Sequence, residues 1–249
     1  MGVGACGRFV AFHRSVPPSR MLLLIAAEPR EYAGFPGLVE HSSRDVRWLA
    51  TTVIRGVDAV LVANGIGRRN AAAGTRTMIA GTRIHAVLSI GFAGALDPVL
   101  GLGEVVVADQ VLDGSRVYPA GWPLQCPADV QRGSVVTVNE VVQFAESKLA
   151  LGQDGARAVD MESAAVAEIA QEHRLPFYCV RAISDTAEQD LPVDFNRALR
   201  ADGTVSPWSV LGQAGLSPGS WLGLARLRRN SRIAADSLAR CLPQLEFDA

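Results

Sequence analysis

The feature that most constrains the fold is a regular alternation of short apolar segments with stretches of helical periodicity. Residues 21–27, 86–90 and 177–183 are nearly continuous apolar runs, as expected of strands covered on both faces. Residues 68–80 and 161–173 carry apolar side chains at helical spacing. Strands that alternate with helices predict an α/β layer fold with a mostly parallel sheet.

The remaining segments complete this pattern. Residues 46–54 and 57–63, on either side of Arg55-Gly56, predict a hairpin or meander. Residues 104–112 and 135–138 predict two further strands, and 140–149 a helix. Residues 118–132 form a Pro/Gly-rich loop, and the tail from about residue 195 has helix signals but few strand signals. We expect one domain over residues 21–249, preceded by a disordered leader or mis-assigned start at 1–20, with a transit peptide as the weaker alternative.

Composition excludes several classes of protein. A net charge of −1 provides no basic field for a nucleic-acid partner. Four widely spaced cysteines form no CxxC motif, and four histidines show no ligand spacing, so we expect neither a metal site nor a disulfide framework. No apolar run reaches the roughly 18 residues needed to span a bilayer. These features favour a cytoplasmic protein without a cofactor.

Polar and glycine residues follow the predicted strands at five places. They are Glu28 to Glu31, Gly65-Ile66-Gly67, Gly91 to Gly94, Ser184-Asp185, and the acidic run Asp160-Met161-Glu162. Because parallel strands place their carboxyl ends at one edge, all five could face one crevice. Each could instead be only a turn or a helix cap.

Other nucleotide-binding and catalytic motifs are not supported. A dinucleotide-binding fold is disfavoured, because Asn70 stands at the third glycine position of the G-x-G-x-x-G motif and no acidic residue follows before Asp97. A phosphate-binding P-loop and a GxSxG elbow are absent.

Several motifs then resemble one family. Residues 158–165 read AVDMESAA and resemble the A-V-[DE]-M-E-[ST]-A-A signature of the nucleoside phosphorylase/nucleosidase superfamily, which includes methylthioadenosine/S-adenosylhomocysteine nucleosidase. Residues 176–185 resemble its P-F-x-x-x-R-x-I-S-D, and the glycine elements at 65–67, 91–94 and 101–107 resemble its glycine motifs. The resemblance covers residues 21 to about 190. It implies a single-domain, three-layer α/β/α fold with a central mixed, mostly parallel sheet.

The resemblance also implies roles in cleaving an N-glycosidic bond. Asp185 would protonate the leaving purine, a role that requires it to hold a proton near neutral pH. Glu162 would accept hydrogen bonds from the ribose hydroxyls, since a carboxylate is a pure acceptor. Glu31, or as second choice Glu28, would activate water. The other expected substrate contacts are Met161 on the sugar, Ser184 beside Asp185, Val141 near the base, and Gly91, Phe92 and Ile66.

The nucleophile is predicted to be water. The resemblance implies that relatives which use phosphate as the nucleophile carry the motif R-x-G-[ST] at the positions of Ser89-Ile90-Gly91-Phe92. Ser89 therefore stands in place of the phosphate-binding arginine, and Phe92 in place of the hydroxyl residue. A phenylalanine cannot donate a hydrogen bond to phosphate. Arg68 could still reach an anion, so phosphorolysis remains an alternative.

The tail leaves the substrate and partners open. Ser217-Pro218 predicts a helix start, and the residues that follow mix apolar and basic side chains, among them Trp221, Leu222 and Arg226. This pattern fits a docking helix with solvated arginines, or an interfacial helix at an anionic membrane. The tail resembles the hopanoid-associated nucleosidase branch, which implies adenine release from a lipid-linked adenosyl substrate. A non-catalytic nucleoside-binding module and a peripheral membrane protein remain as other classes, and relatives imply a homo-oligomer, commonly a dimer.

Overall fold

A computed structural model describes residues 21–248 of the 249-residue chain; the expectation for residues 1–20 lies outside this range. Ten strands and six helices make up the fold. The strands are β1 (Met21–Ala26), β2 (Val39–His41), β3 (Trp48–Ile54), β4 (Val57–Ala63), β5 (Ala86–Ala95), β6 (Val105–Asp113), β7 (Arg116–Pro119), β8 (Gln131–Thr137), β9 (Ala156–Asp160) and β10 (Phe177–Asp185). The helices are α1 (Arg68–Gly81), α2 (Ala145–Gly152), α3 (Ser163–Glu172), α4 (Phe195–Ala198), α5 (Pro207–Ala214) and α6 (Pro218–Cys241).

All ten strands belong to one mixed sheet, in the order β10-β6-β8-β9-β5-β1-β4-β3-β2, with β7 beside β6. Parallel pairs form the blocks β4-β1-β5-β10 and β6-β8-β9. Antiparallel pairs β10–β6 and β5–β9 join these blocks. Because β5 contacts both β10 and β9, the strands β5, β10, β6, β8 and β9 close into a ring. The ring brings the carboxyl ends of β5, β9 and β10 together.

Helices cover both faces of the sheet, which confirms the three-layer α/β/α architecture. In β1, Leu23 and Ile25 pack into a core cluster with α1 and α3, whereas Leu22 and Leu24 pack into a second cluster with α6. Successive side chains of a strand point to opposite faces, so a strand covered on both sides is apolar throughout. The continuous apolar run at the start of the described chain therefore reflects two helical layers.

Several predicted boundaries were wrong. The strand predicted over 86–90 extends to Ala95, and the strand predicted over 135–138 begins at Gln131, inside the predicted loop. The helix predicted over 140–149 begins only at Ala145, because the side-chain amide of Asn196 bonds both the N–H and the carbonyl of Val141 and keeps these groups from helical hydrogen bonds. The helix predicted from Met161 begins at Ser163, because residues 156–160 form β9 in the sheet. The predicted hairpin at Arg55-Gly56 is confirmed by the antiparallel pairing of β3 with β4.

The tail is helical, as predicted. Helices α5 and α6 both begin with a serine N-cap, Ser206 and Ser217, whose hydroxyl accepts a hydrogen bond from a backbone N–H in the first turn. A proline at the first helical position follows each cap, where its missing N–H costs nothing. Within residues 21–248, none of the helices combines the length and apolarity that a membrane span would need.

Candidate active site

One cavity of about 330 Å³ opens at the carboxyl ends of β1, β5, β9 and β10. Among the residues predicted for the site, those that line it are Glu28, Glu31, Ile66, Phe92, Val141, Met161, Glu162, Ser184 and Asp185. Gly91 is the exception and does not line the cavity. A side chain there would place its Cβ 2.5 Å from Glu31 Oε1 and 2.9 Å from Arg181 Nη1, so the glycine leaves room for those two groups.

Glu31 is a buried carboxylate held by backbone donors. A 3-10 turn, Pro29–Tyr32, follows β1. The Tyr32 hydroxyl donates a hydrogen bond of 2.8 Å to the carbonyl oxygen of Leu24 and so holds the turn against β1. Glu31 Oε2 accepts from the N–H groups of Ala27 and Glu28, each at 2.8 Å, and Oε1 accepts from Phe92 N–H at 2.8 Å. Burial raises the pKa of Glu31, although these backbone hydrogen bonds act in the opposite direction. The result is a rigid carboxyl at the cavity wall with raised proton affinity.

Glu28 lies at the same wall in a different environment. Its carboxylate forms an ion pair with Arg30, and both side chains are partly exposed. The Arg30 guanidinium also lies 5.8 Å from the centre of the Phe92 ring. Glu28 is thus engaged by a cation near the solvent, whereas Glu31 is buried at the cavity wall and bonded only by backbone N–H groups.

Glu162 stands between the start of α1 and the start of α3. It is the N-cap residue of α3, and its Oε1 accepts from the N–H of Gly67, the N-cap of α1, at 2.7 Å. Burial, followed by the charge of Asp160, raises the pKa of Glu162 to about 8. Both causes favour the neutral form of this carboxyl over the charged form. Met161 and Ile66 line the cavity beside it.

Arg181 and Asp160 form a buried ion pair next to these residues. Arg181 donates through Nε to Asp160 Oδ2 at 2.8 Å, and its Nη2 donates to the hydroxyls of Ser89 and Ser163 at 2.7 Å each. Asp160 Oδ1 accepts from Thr137 Oγ1 at 2.7 Å. The acidic run that contains Asp160 predicts a helix start and not this ion pair. The signal was an arginine inside an otherwise apolar strand, since a buried charge needs a partner.

Asp185 ends β10 and is held at both oxygens. Ser184 Oγ donates to Oδ1 at 2.9 Å, and Lys148 Nζ donates to Oδ2. Lys148 lies on α2 and is fully buried. Gly94 makes room for this arrangement, because a Cβ there would lie 3.0 Å from Oδ2. Lys148 is the only lysine in the chain, a composition that by itself suggests a coding bias more than a function.

Part of the cavity lining is apolar. It is formed by Leu191, Phe195, Leu199 and Val205, from the segment after β10, and by Leu227 of α6. Val141 also lines the cavity, and its backbone is fixed by Asn196. Arg68 does not line the cavity: it forms a two-pronged ion pair with Asp113 at 2.6 and 2.7 Å and donates to the carbonyl of Thr137.

Comparison with known proteins identifies the family to which this chain belongs. The family model described as "Phosphorylase superfamily" matches residues 20–129 and 120–204. The chain belongs to this superfamily. Solved phosphorylase-superfamily folds that it resembles include 5′-methylthioadenosine/S-adenosylhomocysteine nucleosidases. That of S. pneumoniae has 19% identity and a TM-score of 0.65, and covers 90% of this chain and 99% of its own. That of Neisseria meningitidis has 20% identity and a TM-score of 0.64, with coverages of 90% and 97%. That of Helicobacter pylori has 16% identity and a TM-score of 0.65, with coverages of 89% and 95%.

The raised pKa of Glu162 predicts how the folding stability of this protein depends on pH. Between the ordinary value of 4.5 and about 8, the folded protein binds a proton that the unfolded chain has lost, so its stability falls as the pH rises through this range. Glu162→Gln cannot ionise. We expect its melting temperature, relative to wild type, to be higher by a few degrees at pH 9 than at pH 6. Glu172→Gln, on the exposed end of α3, serves as control, and a pH-independent difference for Glu162→Gln would contradict this titration.

Proposed function

We propose that this protein is a purine nucleosidase, which hydrolyses the N-glycosidic bond of a 5′-modified adenosine and releases adenine. One observation carries the proposal: a single cavity brings together three separately held carboxyls, Glu31, Glu162 and Asp185, beside an apolar wall. The solved relatives named above act on 5′-methylthioadenosine and S-adenosylhomocysteine, and the N. meningitidis enzyme binds methylthio-immucillin-A. An apolar wall suits the thioether or alkyl group that such substrates carry at C5′.

Each of the three carboxyls has a separate role in the reaction. The glycosidic C–N bond breaks with its electron pair moving to the purine, and the ribose acquires oxocarbenium character. Asp185 gives its proton to a ring nitrogen, so adenine leaves as a neutral molecule. Glu31 accepts a proton from the water whose oxygen bonds to C1′. Glu162, at the wall between these groups, bonds the ribose hydroxyls, and Met161 packs against the sugar.

Water is the proposed nucleophile because the groups that could hold phosphate are already engaged. Arg68 is occupied by Asp113, and the buried Ser89 hydroxyl bonds Arg181. Among the described residues, Arg30 is the only cationic side chain that lines the cavity, and it is paired with Glu28. Phosphorolysis would need a free cation or several free donors at the sugar.

A substrate panel tests this proposal. Adenosine, methylthioadenosine, S-adenosylhomocysteine and an adenosine with a long alkyl group at C5′ would each be incubated with the enzyme, with and without phosphate. Adenine release without phosphate, fastest for a 5′-modified substrate, is the expected result. Strict dependence on phosphate would establish phosphorolysis instead. Tight nucleoside binding without any release would point to a binding module.

A second candidate is a lipid-linked adenosyl substrate, taken from a membrane surface as in hopanoid biosynthesis. The segment that supplies the apolar cavity wall also carries exposed apolar side chains: Trp208, Leu216 and Leu222 are 78%, 99% and 70% exposed. Residues 203–235 contain no acid and four arginines, Arg226, Arg228, Arg229 and Arg232. Apolar side chains beside unopposed cations suit an anionic bilayer. The family model matches up to residue 204, before α5 and α6 begin.

Vesicle flotation tests the second candidate. We expect the protein to float with phosphatidylglycerol-containing vesicles and to float less with pure phosphatidylcholine, because the arginines attract anionic headgroups. Leu216→Asp combined with Leu222→Asp should abolish flotation. Val99→Asp is the matched control, since Val99 is equally apolar and 73% exposed but lies in a different segment. Failure of the wild-type protein to float, or equal flotation of all variants, would remove this candidate.

A further inference from the structure

The contacts of Lys148 give this residue a specific task beside Asp185. Its Nζ donates to Asp185 Oδ2, to the carbonyl of Thr186 at 3.1 Å and to the carbonyl of Gln189 at 2.9 Å. An ammonium group has three N–H donors and no lone pair. All three donors have acceptors here, so the geometry fits the charged form of the lysine, which acts as a fixed cation.

A lysine at this position stands out against the rest of the chain. The other basic residues, apart from the histidines, are all arginines, yet Lys148 is fully buried, which is unfavourable for a charge unless it is compensated. All three acceptors converge on a single atom, Nζ. A compact ammonium satisfies such an arrangement, whereas the planar guanidinium fork of arginine does not. The site therefore requires a point charge at one oxygen of Asp185.

We infer that Lys148 is a positioning residue for the proton transfer from Asp185. Lys148 does not line the cavity, and among the predicted catalytic residues it contacts Asp185. It occupies Oδ2 and thereby fixes the rotation of the carboxyl, while Ser184 contacts Oδ1. As the O–H bond of Asp185 breaks and an N–H bond forms on the purine, the negative charge that remains on Asp185 lies against the Lys148 ammonium. This inference rests on the proposed nucleosidase activity.

A purely structural role for Lys148 would have different consequences. The two carbonyl contacts hold residues 186–189 against α2, and their loss alone would disturb the cavity for every substrate. A role in proton transfer affects only substrates whose leaving group must be protonated. A 4-nitrophenyl riboside with the same 5′ group provides the contrast, because nitrophenolate departs as a stable anion without an acid.

The test compares wild type and Lys148→Met on the best purine nucleoside and on the corresponding 4-nitrophenyl riboside. For the purine nucleoside we expect kcat to fall by about 10- to 100-fold, with KM changed by less than about threefold, given that general acids contribute about 10²–10⁴-fold. For the nitrophenyl riboside we expect both constants to stay within about threefold. Arg157→Met, which removes a cation from β9 that is paired with Asp97 outside the cavity, controls for general loss of charge.

The outcomes separate this inference from the proposed function. Equal losses on both substrates, or no loss on either, would overturn the role of Lys148 while leaving the nucleosidase in place. Failure of wild-type enzyme to release base from any nucleoside would overturn the proposed function itself. If Lys148→Met does not fold, Lys148→Arg carries the same test: its larger head group displaces Asp185, so the selective loss on the purine nucleoside is again expected.

Discussion

Asp185→Asn is expected to lower kcat for adenine release by about 10²–10⁴-fold, the usual contribution of a general acid. The asparagine amide can still accept a hydrogen bond from Lys148, so the cavity should keep its shape. It has no carboxylic proton to give, and the purine would have to leave as an anion. We therefore expect KM to change little. The measurement is steady-state adenine release by chromatography, with the melting temperature taken as a check on folding.

The control for this variant is Asp109→Asn. Asp109 pairs with Arg132 on the partly exposed side of β6 and does not line the cavity. Its replacement should leave kcat within about twofold, as for most surface substitutions. A loss below tenfold in Asp185→Asn would mean that another group protonates the base, and the assignment of Asp185 would then be wrong.

Glu31→Gln has the second large expected effect, a loss of about 10²–10⁴-fold in kcat. A glutamine cannot accept a proton from water. It also has only one carbonyl oxygen for the three N–H groups of Ala27, Glu28 and Phe92 that now bond the two carboxylate oxygens. The reaction on every substrate should slow, including substrates with nitrophenolate as leaving group, because water attack is common to all of them. This response distinguishes Glu31 from Asp185 and Lys148.

Glu28→Gln is the informative comparison, and Glu146→Gln, on the exposed face of α2, is the neutral control. If Glu31 activates water, Glu28→Gln should lose less than about tenfold, because its carboxylate is paired with Arg30 at the rim. The reverse order, with a large loss for Glu28→Gln and a small one for Glu31→Gln, would transfer the role to Glu28.

The sequence predicted the parts of the fold that are encoded locally. Strands β1 and β10 are buried on both faces, so their apolar runs are unbroken and easy to recognise. Strand β9 was missed because it is short, begins next to Gly155 and continues almost directly into α3. The ring closure through β5–β9 and β10–β6 depends on pairing between distant segments. No local pattern reports such pairing.

The candidate site shows the same division. Asp185, Glu162 and Ser184 lie in motifs, and all three line the cavity. The residues that hold them were missed because their partners are remote: Lys148 is 37 positions from Asp185, and Asp160 is 21 positions from Arg181. Both pairs had a compositional signal, a single lysine in an arginine-rich chain and an arginine in an apolar strand. Such a signal shows that a buried charge needs a partner without showing which residue provides it.

The most direct test of the central claim is the identity of the sugar product. The enzyme would be supplied with its best 5′-modified adenosine in phosphate buffer made with oxygen-18 water, and the products would be analysed by mass spectrometry without delay. Hydrolysis predicts adenine and a free sugar that carries one oxygen-18 atom at C1′ in the earliest samples, while unreacted nucleoside remains unlabelled. A sugar 1-phosphate as the main product would contradict the account, because it would show that phosphate, rather than water activated by Glu31, attacks the ribose.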